Sequence, residues 1–114
     1  MDHALIIEDD ALTALQIEML LEDRGFGSID IAATQQAAVE AALSHRPSII
    51  TSDVRLAVGN GPHAVRDILA RIGPTPVIFI TGSPQDCPAQ GLPAVVLTKP
   101  LDERDFGRAC DRVL

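Results

Sequence analysis

Five short apolar runs, each leading into polar or charged residues, constrain this chain more than any other feature of it. Ala4-Leu-Ile-Ile7 runs into Glu8, Asp9 and Asp10, and Ile29 to Ala32 runs toward Thr34. Ile49-Ile50-Thr51-Ser52 ends at Asp53, and Pro76-Val-Ile-Phe-Ile80 ends at Thr81 and Gly82. Val95-Val96-Leu97 leads to Lys99 and Pro100. Runs this short and without alternation suit strands buried on both faces. The stretches between them carry helical spacing. From about Asp10 to Asp23, Leu12, Leu15 and Met19 recur at helical intervals and form the expected inward face, with Thr13, Gln16, Glu18 and Glu22 pointing elsewhere. Gly25 and Gly27 punctuate its end. Thr34 can cap a second helix with Ala38, Ala41 and Ala42 inward, which stops before Pro47. A Gly-Asn-Gly-Pro loop at residues 59–62 opens a helix through Ile72, and a last helix runs from about Asp102 to Val113. Between Thr81 and Ala94, four breakers (Pro84, Pro88, Gly91 and Pro93) predict a short, irregular segment in place of a long fourth helix. Strands alternating with helices imply parallel βαβ units, hence a doubly wound α/β sheet covered on both faces.

Composition narrows the class. The 114 residues make one ordinary domain, so residues 1–114 are read as a single unit without an output domain. With 46% hydrophobic but only 3% aromatic residues, its core must be built from Leu, Ile, Val and Ala. A net charge of -7 argues against nucleic acid, whose phosphates call for a basic face. Neither a leader nor a membrane-length apolar run of about 18 residues is visible, so a soluble cytoplasmic protein is expected. Cys87 and Cys110 fit neither a zinc spacing nor a disulfide framework and read as free thiols, Cys110 in the core. His3, His45 and His63 show no chelating interval and are expected at the surface. Of the nine basic residues only Lys99 is a lysine, and a flexible point charge does a different job from a planar fork.

In an open parallel sheet, ligands bind beyond the carboxyl ends of the strands where the strand order reverses. Glu8 and Asp9, Asp53, Thr81 with Gly82, and Lys99 would meet in that crevice. Carboxylates there repel one another, each close pair by on the order of 4 kcal/mol at an effective dielectric near 20. A hard divalent cation offsets that repulsion, and few protein oxygens with several waters suit Mg²⁺ better than Ca²⁺. Asp53 could then attack a phosphorus atom, with the cation and Lys99 stabilising the equatorial oxygens and Thr81 donating a hydrogen bond. Gly82 leaves open space beside the phosphoryl group. Each group also has an ordinary explanation. Glu8 to Asp10 can be first-turn acids favoured by the helix dipole, Asp53 a loop acid, Thr81 a turn residue and Lys99 a surface cation. What those explanations do not cover is one such group at the end of four different strands.

The blocks Leu-Ile-Ile-Glu-Asp-Asp, Ile-Ile-Thr-Ser-Asp-Val-Arg-Leu, Val-Ile-Phe-Ile-Thr-Gly and Val-Leu-Thr-Lys-Pro resemble the signatures of bacterial two-component response-regulator receiver domains, the CheY-like superfamily. The resemblance covers essentially the whole chain. It implies a flavodoxin-like sheet of five parallel strands in the order 2-1-3-4-5 with five helices, the fourth here short or irregular. It implies Asp53 as phosphoacceptor, Glu8 and Asp9 as the acidic metal-binding pair, and a backbone carbonyl of Arg55 as a further ligand of Mg²⁺ or Mn²⁺. Thr81 becomes the switch hydroxyl, Lys99 the phosphate-binding lysine, and Lys99–Pro100 a candidate cis peptide. The chain also departs from the family: Val96 stands where an aromatic residue usually rotates inward, and Leu101 where Phe is common. Those departures are similar to alphaproteobacterial receivers of the general stress response and the single-domain regulators beside them.

The expected partner is a sensor histidine kinase, with a second response regulator competing for it, and the expected state is a monomer or weak dimer. Two roles remain open: a phosphate sink or shuttle that loses its phosphoryl group quickly, or a phosphorylation-switched binding module, including the receiver part of a longer regulator. No catalysis is expected beyond phosphotransfer to itself and autodephosphorylation. A dehalogenase-type phosphatase would want a second acid where Arg55 stands, and a dinucleotide-binding domain would want glycines where Glu8, Asp9 and Asp10 repel a pyrophosphate.

Overall fold

The computed structural model describes residues 2–86 and 94–114. Its elements run β1 (His3–Ile7), α1 (Ala11–Asp23), β2 (Ser28–Ala32), α2 (Gln35–Ser44), β3 (Ile49–Ser52), α3 (Gly61–Ile72), β4 (Val77–Thr81), a 3₁₀ turn at Pro84–Asp86, β5 (Ala94–Thr98) and α4 (Glu103–Val113). All strand pairings are parallel, in the order β2-β1-β3-β4-β5. The expected sheet is therefore present. The helix count differs: among the described residues there are four α-helices and the 3₁₀ turn, where five helices were expected. The proline-broken segment begins with that turn at Pro84, and its remainder, Cys87 included, lies outside the described residues.

Each helix start has a local cause. Asp10, Thr34, Asn60 and Asp102 are extended N-caps whose side chains accept backbone N–H groups of the first turn, at Thr13, Ala37, His63, and Arg104 with Asp105. The pleat divides the strand residues between two cores. Leu5, Ile7, Ile50, Val77 and Phe79 face Ala38, Val39 and Ala42 of α2 and Ala64, Val65 and Ile68 of α3. Ala4, Ile6, Ile49, Ile78 and Ile80 face Ala14, Ile17 and Leu21 of α1 and Phe106, Ala109 and Cys110 of α4. Cys110 is thus a core residue as expected, and burial raises the pKa of its thiol.

Two expectations are corrected here. Leu12, Leu15 and Met19 are not the inward face of α1: they are 79%, 50% and 57% exposed, and Ala14, Ile17 and Leu21 are buried instead. The two triplets have identical spacing, so periodicity cannot choose between them, and the sheet takes the stripe led by the smaller Ala14. His3 is not a surface residue either, because it opens β1 on the face that α2 covers and is 2% exposed.

Gly61 joins the fold to the loop after β3. Its N–H donates to the Val54 carbonyl at 3.0 Å, and a Cβ added there would lie 1.7 Å from the Asp53 carbonyl oxygen and 2.4 Å from Ser52 Oγ. No side chain fits without moving the backbone of Asp53. Gly61→Ala is expected to destabilise the domain by at least about 1–3 kcal/mol. Gly27→Ala, whose added Cβ meets nothing within 4 Å, should stay within about 0.5 kcal/mol of the parent, and urea titration of the parent and both variants checks the difference.

Candidate functional site

The polar groups gather where the strands end. Glu8 follows β1 and Asp53 follows β3, on the face shared with α1 and α4, and both are buried. Lys99, just past β5, places its Nζ 2.9 Å from Glu8 Oε1 and 2.9 Å from Asp53 Oδ2. The other oxygens of the two acids are engaged by backbone: Val54 N–H donates to Asp53 Oδ1 at 2.7 Å, and Asp10 N–H to Glu8 Oε2 at 3.2 Å. Asp9 is exposed and accepts the Ala57 N–H at 2.6 Å, which fastens the loop after Asp53 to the end of β1. One carboxylate oxygen from each of Glu8, Asp9 and Asp53 lies within 4.8 Å of the other two. Three hard oxygen donors on one open crevice fit a divalent cation of the Mg²⁺ type.

Thr81 closes β4 and is buried. Its Oγ1 accepts the Ser83 N–H at 3.0 Å, which leaves the hydroxyl proton to donate elsewhere, and its carbonyl accepts the Lys99 N–H at 2.9 Å. A Cβ at Gly82 would meet nothing within 4 Å, so space lies open beside Thr81. Arg55, two residues past Asp53, is exposed and forms an isolated antiparallel bridge with Asn60 that shapes the loop. The Lys99–Pro100 peptide is cis. The structure thus brings Glu8, Asp53 and Lys99 into direct contact, with Asp9 beside the two acids and Thr81 tied to Lys99 through the backbone. Gly61 was missed as a site residue. Its signal was the Gly-Asn-Gly-Pro loop, but only the tertiary approach to Asp53 shows why a glycine stands there.

Electrostatics follow from this packing. Burial raises the pKa of Glu8, helped by the charge on Asp53, against the lowering effect of its hydrogen bonds to Lys99 and Asp10. For Lys99 desolvation is the largest single effect and lowers the pKa. The hydrogen bonds to Asp53 and Glu8 and the attraction of both carboxylates outweigh it, so the net shift is upward. Asp10 is held low by the Thr13 hydroxyl and N–H groups it accepts. A cavity of about 540 Å³ between the starts of β4 and β5 and the end of α4 lies at the other end of the sheet.

Residues 4–109 match the response regulator receiver domain. The chain belongs to that family. This receiver is 37% identical to the phyllosphere-induced regulator PhyR of Methylorubrum extorquens, over 96% of its own length and 42% of that protein, so it spans less than half of this relative. Its fold is similar to the solution structure of the Erythrobacter litoralis PhyR receiver domain, with TM-score 0.89 and 34% identity over 98% of this chain and 88% of the other. It is also similar to the receiver domain of the Pseudomonas aeruginosa sensor kinase PA1611, which was crystallised with a magnesium ion coordinated in its active-site cleft. That pair has TM-score 0.84 and 28% identity over 98% and 96% of the two chains.

A carboxyl group whose pKa is raised by folding destabilises the fold at any pH above that folded-state value, and the penalty disappears as the pH falls through it. Glu8→Gln is therefore expected to raise the thermal midpoint of the metal-free receiver at pH 7, with the gain shrinking as the pH is lowered toward 4.5, the ordinary value for Glu. Calorimetric scans across that range check the sign.

Proposed function

We propose that this receiver accepts a phosphoryl group on Asp53 from a phosphohistidine of a sensor kinase and loses it to water, acting as a phosphate sink or shuttle. The observation that carries this reading is the Lys99 ammonium drawn between the Glu8 and Asp53 carboxylates at 2.9 Å from each. Mg²⁺, or Mn²⁺, would be held by Glu8, Asp9, Asp53 and the Arg55 carbonyl, and would supply charge neutralisation at the transferring phosphoryl group. An Asp53 oxygen forms the new O–P bond as the P–N bond to the donor imidazole breaks. Lys99 turns from the carboxylate to a phosphoryl oxygen, and the free proton of Thr81 Oγ1 reaches another. In hydrolysis, water attacks the phosphorus, the Asp53 O–P bond breaks, and inorganic phosphate leaves with the carboxylate restored; the open space at Gly82 gives that water room. The chemistry stays on the chain itself and acts on no other substrate.

The kinase is the natural cover for α1. That helix starts at its Asp10 cap, beside Glu8, and presents Leu12, Leu15 and Met19 to solvent. A donor helix seated there would bury the stripe and bring its histidine to the strand ends. The similarity to PhyR, described in one solved structure as a stress response regulator, supports a place in general stress signalling. A second response regulator competing for the same kinase fits the sink role. No described helix is long and apolar enough to cross a membrane, which is compatible with work in the cytoplasm as a monomer or weak dimer. A second reading has its own support: because the chain spans 42% of PhyR, it can equally serve as the switching part of a longer regulator that docks its partner when phosphorylated.

Labelled kinase with Mg²⁺ should transfer phosphate to the parent receiver and not to Asp53→Asn. Loss of label within minutes supports the sink, persistence for hours supports the switch, and Gly82→Ala should slow the loss severalfold. A receiver that takes no label from a kinase or from acetyl phosphate would end the phosphotransfer reading. Leu15→Asp is expected to cut kinase-dependent labelling by roughly tenfold or more, the scale of an interface anchor. Its labelling by acetyl phosphate should match the parent, which separates lost docking from a damaged site.

A further inference from the structure

A second cluster of metal-ligating side chains stands at the end of the sheet away from Asp53. His3 opens β1, Asp30 lies within β2, and His45 caps the C-terminus of α2. Because His3 pairs with Ser28 and Leu5 with Asp30, the pleat sends His3, Ser28 and Asp30 to the face that α2 covers. The end of that helix then delivers His45. One donor atom from each of His3, Asp30 and His45 lies within 4.8 Å of the other two. The five residues of β1 separate this cluster from Glu8, a distance of roughly 16 Å at the rise of a parallel strand.

The cluster has the parts of a built site. His3 is 2% exposed, with Nδ1 2.8 Å from Ser28 Oγ and Nε2 3.1 Å from Asp30 Oδ2. When Nδ1–H donates to Ser28, the Nε2 lone pair faces a carboxylate, and a cation between them satisfies both. Histidines that ligate metals characteristically donate their other ring N–H to an oxygen in this way. The ring of His45 makes no hydrogen bond among the described residues, and its contact is a stack on His3 with centroids 3.5 Å apart and planes 11° from parallel. Parallel rings cannot hold one ion in both planes, so His45 must turn about its side-chain bonds to bind. It is exposed at a helix end and can turn. The side chain of Asp30 is 43% exposed, which gives an ion access to the buried histidine.

We propose that His3 Nε2, Asp30 and His45 form a Zn²⁺ site with water as the fourth ligand. Two imidazoles and a carboxylate suit zinc, whereas the all-oxygen set of Glu8, Asp9 and Asp53 suits magnesium. Bound here, zinc joins the start of β1, the middle of β2 and the end of α2. It fastens the edge of the sheet without touching the phosphoacceptor.

Co²⁺ added to the full chain in excess Mg²⁺, which holds the carboxylate crevice, is the probe. One equivalent should give the visible absorption of a four-coordinate ion, discharged by equimolar Zn²⁺. His45→Ala and Asp30→Asn should each weaken binding by at least about tenfold, and Ser28→Ala, which positions His3 without touching the ion, by about tenfold. Asp53→Asn should keep the site, and His45→Ala should take label on Asp53 at the parental rate. His45 is exposed, so its removal leaves the fold intact, and circular dichroism verifies this. Absence of the absorption in the parent, parental affinity in His45→Ala, or loss of the signal in Asp53→Asn would each overturn the proposal.

Discussion

The Lys99 ammonium is the interaction on which the rest of the site depends. Glu8 and Asp53 are both buried at neighbouring strand ends, where their repulsion is on the order of 4 kcal/mol with nothing between them. Lys99 sits between them at 2.9 Å from each. In a sheet ordered β1-β3-β4-β5, it must reach across two strand spacings to β3, roughly 10 Å. The start of that reach is fixed by the hydrogen bond from Lys99 N–H to the Thr81 carbonyl. A guanidinium would serve poorly here. Its planar fork prefers one carboxylate held by two bonds, whereas an ammonium directs separate donors at separate acids and lets go of either. In a chain with eight arginines, the lone lysine stands where such a point charge is needed.

The backbone of the site is equally constrained. The Val54 N–H holds one Asp53 oxygen, the Ala57 N–H holds Asp9, and the Gly61 N–H holds the Val54 carbonyl. The loop after β3 is therefore pinned at three points before any ligand arrives. That pinning is useful for a nucleophile, since a carboxylate already oriented does not spend reaction energy on being ordered.

Much of this was legible in the sequence, because each relevant signal is local. The five apolar runs gave the strands, the cap at Thr34 gave a helix start, and polar groups at four strand ends gave the crevice. What failed was information that only packing holds. Leu12-Leu15-Met19 and Ala14-Ile17-Leu21 have the same intervals, and the surface of the sheet decides between them. His3 looked like a stray surface residue because its partners Ser28, Asp30 and His45 are far away in sequence and close only once β1 pairs with β2. Gly61 looked like one more loop glycine until the backbone of Asp53 was seen against it.

The absence of an aromatic residue at Val96 bears on how a phosphorylation signal can leave the site. Val96 lies in register with Phe79, packed against the core shared with α2 and α3, and the register continues to Thr81 opposite Thr98. A long aromatic side chain on β5 can occupy an inward or an outward rotamer and so report whether the threonine has moved. Valine has two heavy atoms on Cβ, is stiff about χ1, and sweeps too little volume to present a partner with two surfaces. Engagement of Thr81 therefore has no large side chain to displace on this strand. The proposed phosphotransfer does not depend on that position, because the contacts that join Lys99 to Asp53 and to Thr81 do not involve Val96. That asymmetry, a lysine joined to two buried carboxylates beside a β5 position without the bulk to report on them, is what the proposed sink role requires and what the proposed switch role lacks.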